Sequence, residues 1–162
     1  ERMGKTDGRY NMLGNIYDHM AAELEYANGA RCTSISGHVS GGSSRVGERI
    51  VGTKGTSNCA GQIQGEKPFS HKGEQNEPGG MTMEHADLLK SVTGKGPYLN
   101  EGVRIAESTL TAVGIRMSAY TGRELQWDWL IKASQLDLLP KDLKPGPGHF
   151  PALAVPGITK LI

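Results

Sequence analysis

The apolar residues of this chain change their period once along its length, and that change limits what the chain can fold into. From Tyr17 to Tyr26 the pattern alternates: Met20, Ala22, Leu24 and Tyr26 point one way, His19, Ala21, Glu23 and Glu25 the other. Asn28-Gly29 follows, the strongest short hairpin signal, and Ala30 to His38 is expected to return as the partner strand. Further on, the spacing becomes three and four. Val103, Ala106, Leu110, Val113, Met117 and Tyr120 form one stripe of a helix expected over 100–121, with Asn100 as N-cap and Gly122 as the C′ glycine. Strands first and helices after predict an α+β domain: an open antiparallel or mixed β-sheet with helices packed on one face.

A two-residue turn at Asn28-Gly29 fixes a register. It sets Tyr26 opposite Arg31, Leu24 opposite Thr33, Ala22 opposite Ile35 and His19 opposite His38. One face would then carry Met20, Ala22, Leu24, Tyr26 and Ile35. The other would carry His19, Glu23, Glu25, Cys32, Ser34, Ser36 and His38, as in a sheet with one buried and one wet face.

Gly supplies 23 of the 162 residues, about twice its usual share, and the glycines crowd between Gly29 and Gly80. In that stretch Glu48 to Val51 reads as a strand, Gly52 to Gly55 as a turn, Thr56 to Gln64 as a second strand and Glu66 to Gly80 as an irregular loop. A short helix is expected from Glu84 to Val92, ended by Gly94. Asp128 is a candidate cap for a last helix to Ser134, with Trp127 and Trp129 as core residues by default. Pro140, Pro145, Pro147, Pro151 and Pro156 forbid regular helix in the final stretch. The organisation read from this is a loop or linker over 1–15, an α+β domain over 16–138 and an extended Pro-rich tail over 139–162.

Several function classes are disfavoured. A net charge of +1 provides no excess to draw the chain onto nucleic acid or an anionic membrane. Mean hydropathy is −0.42 with no long apolar run, so no membrane-spanning helix is expected. Nothing near Glu1 resembles a signal peptide. Two cysteines cannot build a disulfide scaffold, and Cys32 and Cys59 both lie in strand-like runs without C-x-x-C spacing. The glycines match neither a P-loop nor G-x-G-x-x-G, so they read as turn glycines. Ser40, Ser43 and Ser44 lack the G-x-S-x-G elbow of a hydrolase.

The residues left as candidates are polar and scattered. His19, Glu23 and His38 on one sheet face offer the imidazole and carboxylate donors that zinc takes, but without a firm third ligand. A solvated face, an oligomer contact or a substrate-facing surface is the plainer reading. Arg45 follows the Gly/Ser loop, and His71 lies in the loop after Glu66-Lys67-Pro68, where function concentrates. His19, His38, Arg45 and His71 are the side chains expected to hydrogen-bond substrate hydroxyls; no catalytic, metal or cofactor-binding residue is assigned.

Four stretches together are similar to the C-terminal domain of the glucose–fructose oxidoreductase / inositol dehydrogenase (Gfo/Idh/MocA) family. They are Tyr17-Asp-His-Met-Ala-Ala-Glu-Leu-Glu-Tyr-Ala-Asn-Gly29, Glu48-Arg-Ile-Val-Gly-Thr-Lys-Gly55, Glu84-His-Ala-Asp-Leu-Leu-Lys-Ser91, and the long run from Asn100 through Gly122 to Trp127. The resemblance spans most of the chain and extends to bacterial members, which favours a bacterial cytoplasm over a periplasm. It implies an open-sheet domain that binds a sugar or polyol and forms a homo-oligomer through its open sheet face. It also implies a missing N-terminal Rossmann domain that holds NAD or NADP. The family's proton-transfer residues are a Lys in an E-K-P motif of the Rossmann domain and an Asp-x-x-x-His pair. This chain has no Asp-x-x-x-His, and its Glu66-Lys67-Pro68 falls after the hairpin, so Lys67 does not take that role. The expectation is a substrate-binding and oligomerisation domain, inactive alone. The alternatives are a carbohydrate-binding or assembly module acting in trans, or part of an NAD-dependent glycosidase.

Overall fold

The computed structural model describes residues 16–71, 78–137, 139 and 152–162. They form an α+β fold with open antiparallel sheets. The chain divides into two compact units, described here in turn. The described parts of the first are 16–42, 102–137, 139 and 152–162; those of the second are 43–71 and 78–101. The expected linker over 1–15 and the stretch 140–151 of the expected tail lie outside the described residues.

In the first unit, β1 (His19–Glu25) pairs antiparallel with β2 (Arg31–Gly37), but one residue away from the expected register. His19 faces Gly37, Ala22 faces Ser34 and Leu24 faces Cys32. The cause lies in the turn. Tyr26 N–H donates to the Ala30 carbonyl at 2.9 Å, and Gly29 N–H donates to Tyr26 at 2.8 Å. These bonds close a loop of three residues, Ala27 to Gly29, rather than two. Gly29 takes φ +82°, the left-handed position such a loop needs, and Asn28 Oδ1 accepts from Ala30 N–H at 3.0 Å. A slip of one residue moves every β2 side chain to the other face. Cys32, Ser34 and Ser36 therefore share the face of Met20, Ala22 and Leu24. Ile35 lies with Glu23 and Arg31 on the outer face and is 78% exposed.

Helix α2 (Gly102–Thr121) packs against β1; the numbering here counts α1 as Gly80–Val92 in the second unit. It begins two residues after Asn100. Its expected apolar stripe is buried at one end only. Met117 is buried, whereas Val103 is 75% and Val113 is 38% exposed. Contacts around this end of the helix come from three directions. The Tyr17 and Tyr120 rings lie 4.5 Å apart, the Tyr17 hydroxyl donates to the Ala154 carbonyl, and a Cβ on Gly114 would meet Leu130 at 2.9 Å. Gly122 ends the helix as expected, with φ +67°. The freed Thr121 carbonyl then accepts from Gly157 N–H at 2.7 Å. The described end of the tail is therefore not simply extended: it turns at 156–159, tied by Ile158 and Thr159 N–H to the Val155 carbonyl. Met117, Thr121, Leu130 and Ala154 form the core of this unit.

Helix α3 (Trp127–Lys132) has Gln126 at its N-cap position, in extended conformation and without a side-chain capping bond. Asp128 is not the cap. It lies in the first turn and pairs with Lys132 at 2.9 Å. Trp127, expected in the core, is 41% exposed; Leu130 is the buried member of this helix.

The second unit is a meander of four strands in order β3 (Ile50–Gly52), β4 (Gly55–Ser57), β5 (Gln62–Gly65), β6 (Phe69–Ser70). The single strand expected over Thr56 to Gln64 is broken at 58–61. Asn58 Oδ1 accepts from the N–H groups of Ala60 and Gln62 at 3.0 and 3.1 Å, a side-chain bond that competes with the ladder. Cys59 therefore sits in a turn at φ +53° rather than in a strand. Phe69 and Ser70 join the sheet from within the segment expected to be loop. Two glycines let β4 and β5 close. A Cβ on Gly65 would lie 2.2 Å from the Lys54 carbonyl oxygen, and one on Gly55 would lie 2.4 Å from that of Gln64. Helix α1 starts four residues before the expected Glu84. It ends in a Schellman motif at Gly94: Lys95 N–H donates to Lys90 and Gly94 N–H to Ser91.

Candidate functional site

The four residues expected to touch substrate divide between the units, His19 and His38 in the first, Arg45 and His71 in the second. They are described within their own units.

His19 begins β1. Its Nδ1 lies 2.6 Å from Asp18 Oδ1. A carboxylate can only accept, so Nδ1 carries the hydrogen in this pair. The Asp18 side chain is only 15% exposed while that of His19 is 53% exposed, so a sheltered carboxylate orients an accessible imidazole. Imidazole is a group of the kind that hydrogen-bonds hydroxyls. Asp18 was not singled out from the sequence, although its adjacency to His19 was the available signal.

His38 does not face His19. Its N–H donates to the Asp18 carbonyl at 2.8 Å, which continues the β1–β2 ladder one step beyond Gly37. Alternation then places His38 and His19 on opposite faces, and the shared polar face expected for them is not formed. Glu23 keeps the face of His19 but is engaged: Arg31 donates to Glu23 at 3.1 Å and to Glu25 at 3.3 Å. Among the described residues, no three His, Cys, Asp or Glu side chains converge as metal ligands. Cys32 and Cys59 are free thiols, both exposed and in different units.

In the second unit, strand register sorts the side chains onto two faces. Val51, Thr56 and Gln64 lie in one cross-strand row, and Gln62 and Ser70 share their face. Ile50, Ser57, Ile63 and Phe69 form a row on the opposite face. Three of those four are large apolar residues, between 43% and 62% exposed. A shallow open groove of about 240 Å³ is lined mainly from the polar side, by residues that include Arg45, Glu48, Arg49, Thr56, Gln62 and Gln64, and also by Ser57 of the opposite row. Arg45 is the one groove residue expected from the sequence. Arg49, Thr56 and Gln64 were missed; the Gly52–Gly55 turn with period-2 alternation places Arg49 and Thr56 on one face, while Gln64 joins them only through the turn at 58–61. His71 is held at the end of β6, where its N–H donates to the Gly61 carbonyl at 2.7 Å. Comparisons of the chain with protein-family models, with curated proteins and with solved structures return no match.

Proposed function

We propose that this chain is the substrate-binding and oligomerisation domain of an NAD(P)-dependent oxidoreductase acting on a sugar, polyol or related carbonyl. The observation that carries the reading is the sequence resemblance over 17–127. The fold is compatible with it in one respect: each of the four stretches falls on regular elements. The first covers β1 and its turn, the second covers β3 and the turn into β4, the third lies within α1, and the last contains α2 packed on β1. An oriented imidazole at His19 supplies a hydrogen-bonding group for a substrate hydroxyl, with Asp18 as its positioning residue. Hydride transfer requires a domain that holds the nicotinamide against that substrate. On this reading NAD or NADP belongs to a Rossmann domain encoded upstream of Glu1.

The same reading assigns the row Ile50, Ile63 and Phe69 to contact with a second copy of the chain, since an exposed apolar sheet face is a typical association surface. Light scattering on the purified chain should give an oligomer that Phe69→Asp converts to monomer. The coding sequence immediately before Glu1 decides the cofactor assignment. A strand–G-x-G-x-x-G–helix unit there is the expected result. An upstream sequence without such a unit, or micromolar NADH binding to the isolated chain, would overturn it.

A further inference from the structure

We infer that the groove on the polar face of the β3–β6 sheet binds a small polyhydroxylated carboxylate, of the sugar-acid class. Arg45 and Arg49 would hold the carboxylate, and Thr56, Gln62 and Gln64 the hydroxyls. Charge is the first argument. Arg45 and Arg49 against Glu48 leave one net positive charge in a lining that is otherwise neutral and polar. A guanidinium presents a planar fork of donors that matches a carboxylate in a bidentate pair.

The second argument is that these groups are available. Among the described residues, no hydrogen bond or ion pair engages the side chains of Arg45, Glu48, Arg49, Thr56 or Gln64, and Gln62 Oε1 accepts one long bond from the Asn58 amide at 3.4 Å, which leaves its N–H groups to donate. Their position is nonetheless defined, because the strand register places Thr56, Gln62 and Gln64 on one face, with Arg49 entering the sheet just before β3. The amides and the hydroxyl both donate and accept, as sugar hydroxyls do. Glu48 adds an acceptor for a neutral hydroxyl and repels a compact dianion such as phosphate.

Size and composition narrow the class further. A space of about 240 Å³ has room for a hexonic acid. The lining has no aromatic ring on which a base could stack.

The inference does not rest on the hydride-transfer reading. It concerns binding by this chain alone, and its failure leaves the cofactor assignment untouched. The test is a titration of the ¹⁵N-labelled chain at constant ionic strength with gluconate, sorbitol or inorganic phosphate. Amide, Gln side-chain and Arg Nε resonances are followed. Gluconate should bind saturably and move the Gln62 and Gln64 side-chain signals. It should bind at least tenfold tighter than sorbitol, which lacks the carboxylate, and tenfold tighter than phosphate, which lacks the carbon-bound hydroxyls. Arg45→Gln with Arg49→Gln should weaken gluconate at least tenfold, with the backbone signals of β4 and β5 unmoved. Equal binding of gluconate and sorbitol overturns the role of the arginines. Equal binding of gluconate and phosphate reduces the groove to an anion patch and overturns the class. Gluconate binding that survives the double substitution with the sheet signals intact overturns the location. No saturable shift with any of the three overturns the site.

Discussion

The first unit encloses Met117, Thr121, Leu130 and Ala154 between a helix, a hairpin and the end of the chain, whereas no described residue of the second unit is buried. The contrast extends to the bonds. In the first, contacts distant in sequence converge: Tyr17 with Tyr120 and Ala154, Thr121 with Gly157, Ser134 with Ile162. In the second, the ties are mostly local: tight turns, an Asx turn at Asn58 and a Schellman motif at Gly94. Side-chain burial stabilises one unit and backbone geometry defines the other. A small buried cluster resists change in volume, while a meander held by its ladder resists change in backbone conformation.

Substitutions of matched chemistry in the two units can break that contrast. Leu130→Ala should have the largest effect, a loss of about 2–5 kcal/mol, because it removes a buried side chain and leaves a cavity beside Gly114. Ile63→Ala, at a residue 43% exposed, should cost under about 1 kcal/mol. Denaturant titrations of both variants compare them; equal losses would show that the second unit also depends on a packed core.

Gly65→Ala should come next. Its Cβ would collide with the Lys54 carbonyl, and its φ of +143° suits no L side chain. Strain of this kind costs about 1–3 kcal/mol before the collision is counted. Amide exchange should accelerate across β4 and β5, while the near-ultraviolet signal of the Tyr17–Tyr120 pair stays unchanged. Exchange that is unaltered in β4 and β5 would contradict the geometric account of the meander.

Tyr17→Phe removes one hydrogen bond from the first unit and should cost about 1 kcal/mol, measured as a lowered midpoint in urea. The smallest effect is expected at Arg31. Its two ion pairs with Glu23 and Glu25 are between 59% and 65% exposed on each side. Arg31→Ala should change stability by less than about 1 kcal/mol, less still in high salt. A larger loss would mean that the outer face of the hairpin is covered by something else.

How much of this was legible in the sequence differs from element to element. The ends of α1 and α2 were, because Gly94 and Gly122 are local signals that act through their own φ. The β3–β4 hairpin was legible from the Gly52–Gly55 turn set between two short runs that alternate. The break at Asn58 was overlooked, although an Asn three residues before a Gly is a local cue for it. The candidate site was less legible than the fold. Arg45 was named without its groove neighbour Arg49, and His19 without its hydrogen-bond partner Asp18, because neither partner follows from the expected β1–β2 register.

The sequence by itself determined the α+β class, the position of the main turns and the helix stops. Each follows from side-chain period or from the backbone freedom of one residue, and neither requires knowledge of distant neighbours. The tertiary structure decided the rest. It showed that the Asn28-Gly29 loop holds three residues, which moved His38 away from His19. It also showed that the stripe of α2 is buried at Met117 and left open at Val103. The physical reasons differ: the loop length is closed by local bonds between Tyr26, Gly29 and Ala30, whereas the buried end of the helix is set by contacts between segments far apart in sequence. Periodicity names a face, but only packing says what covers it.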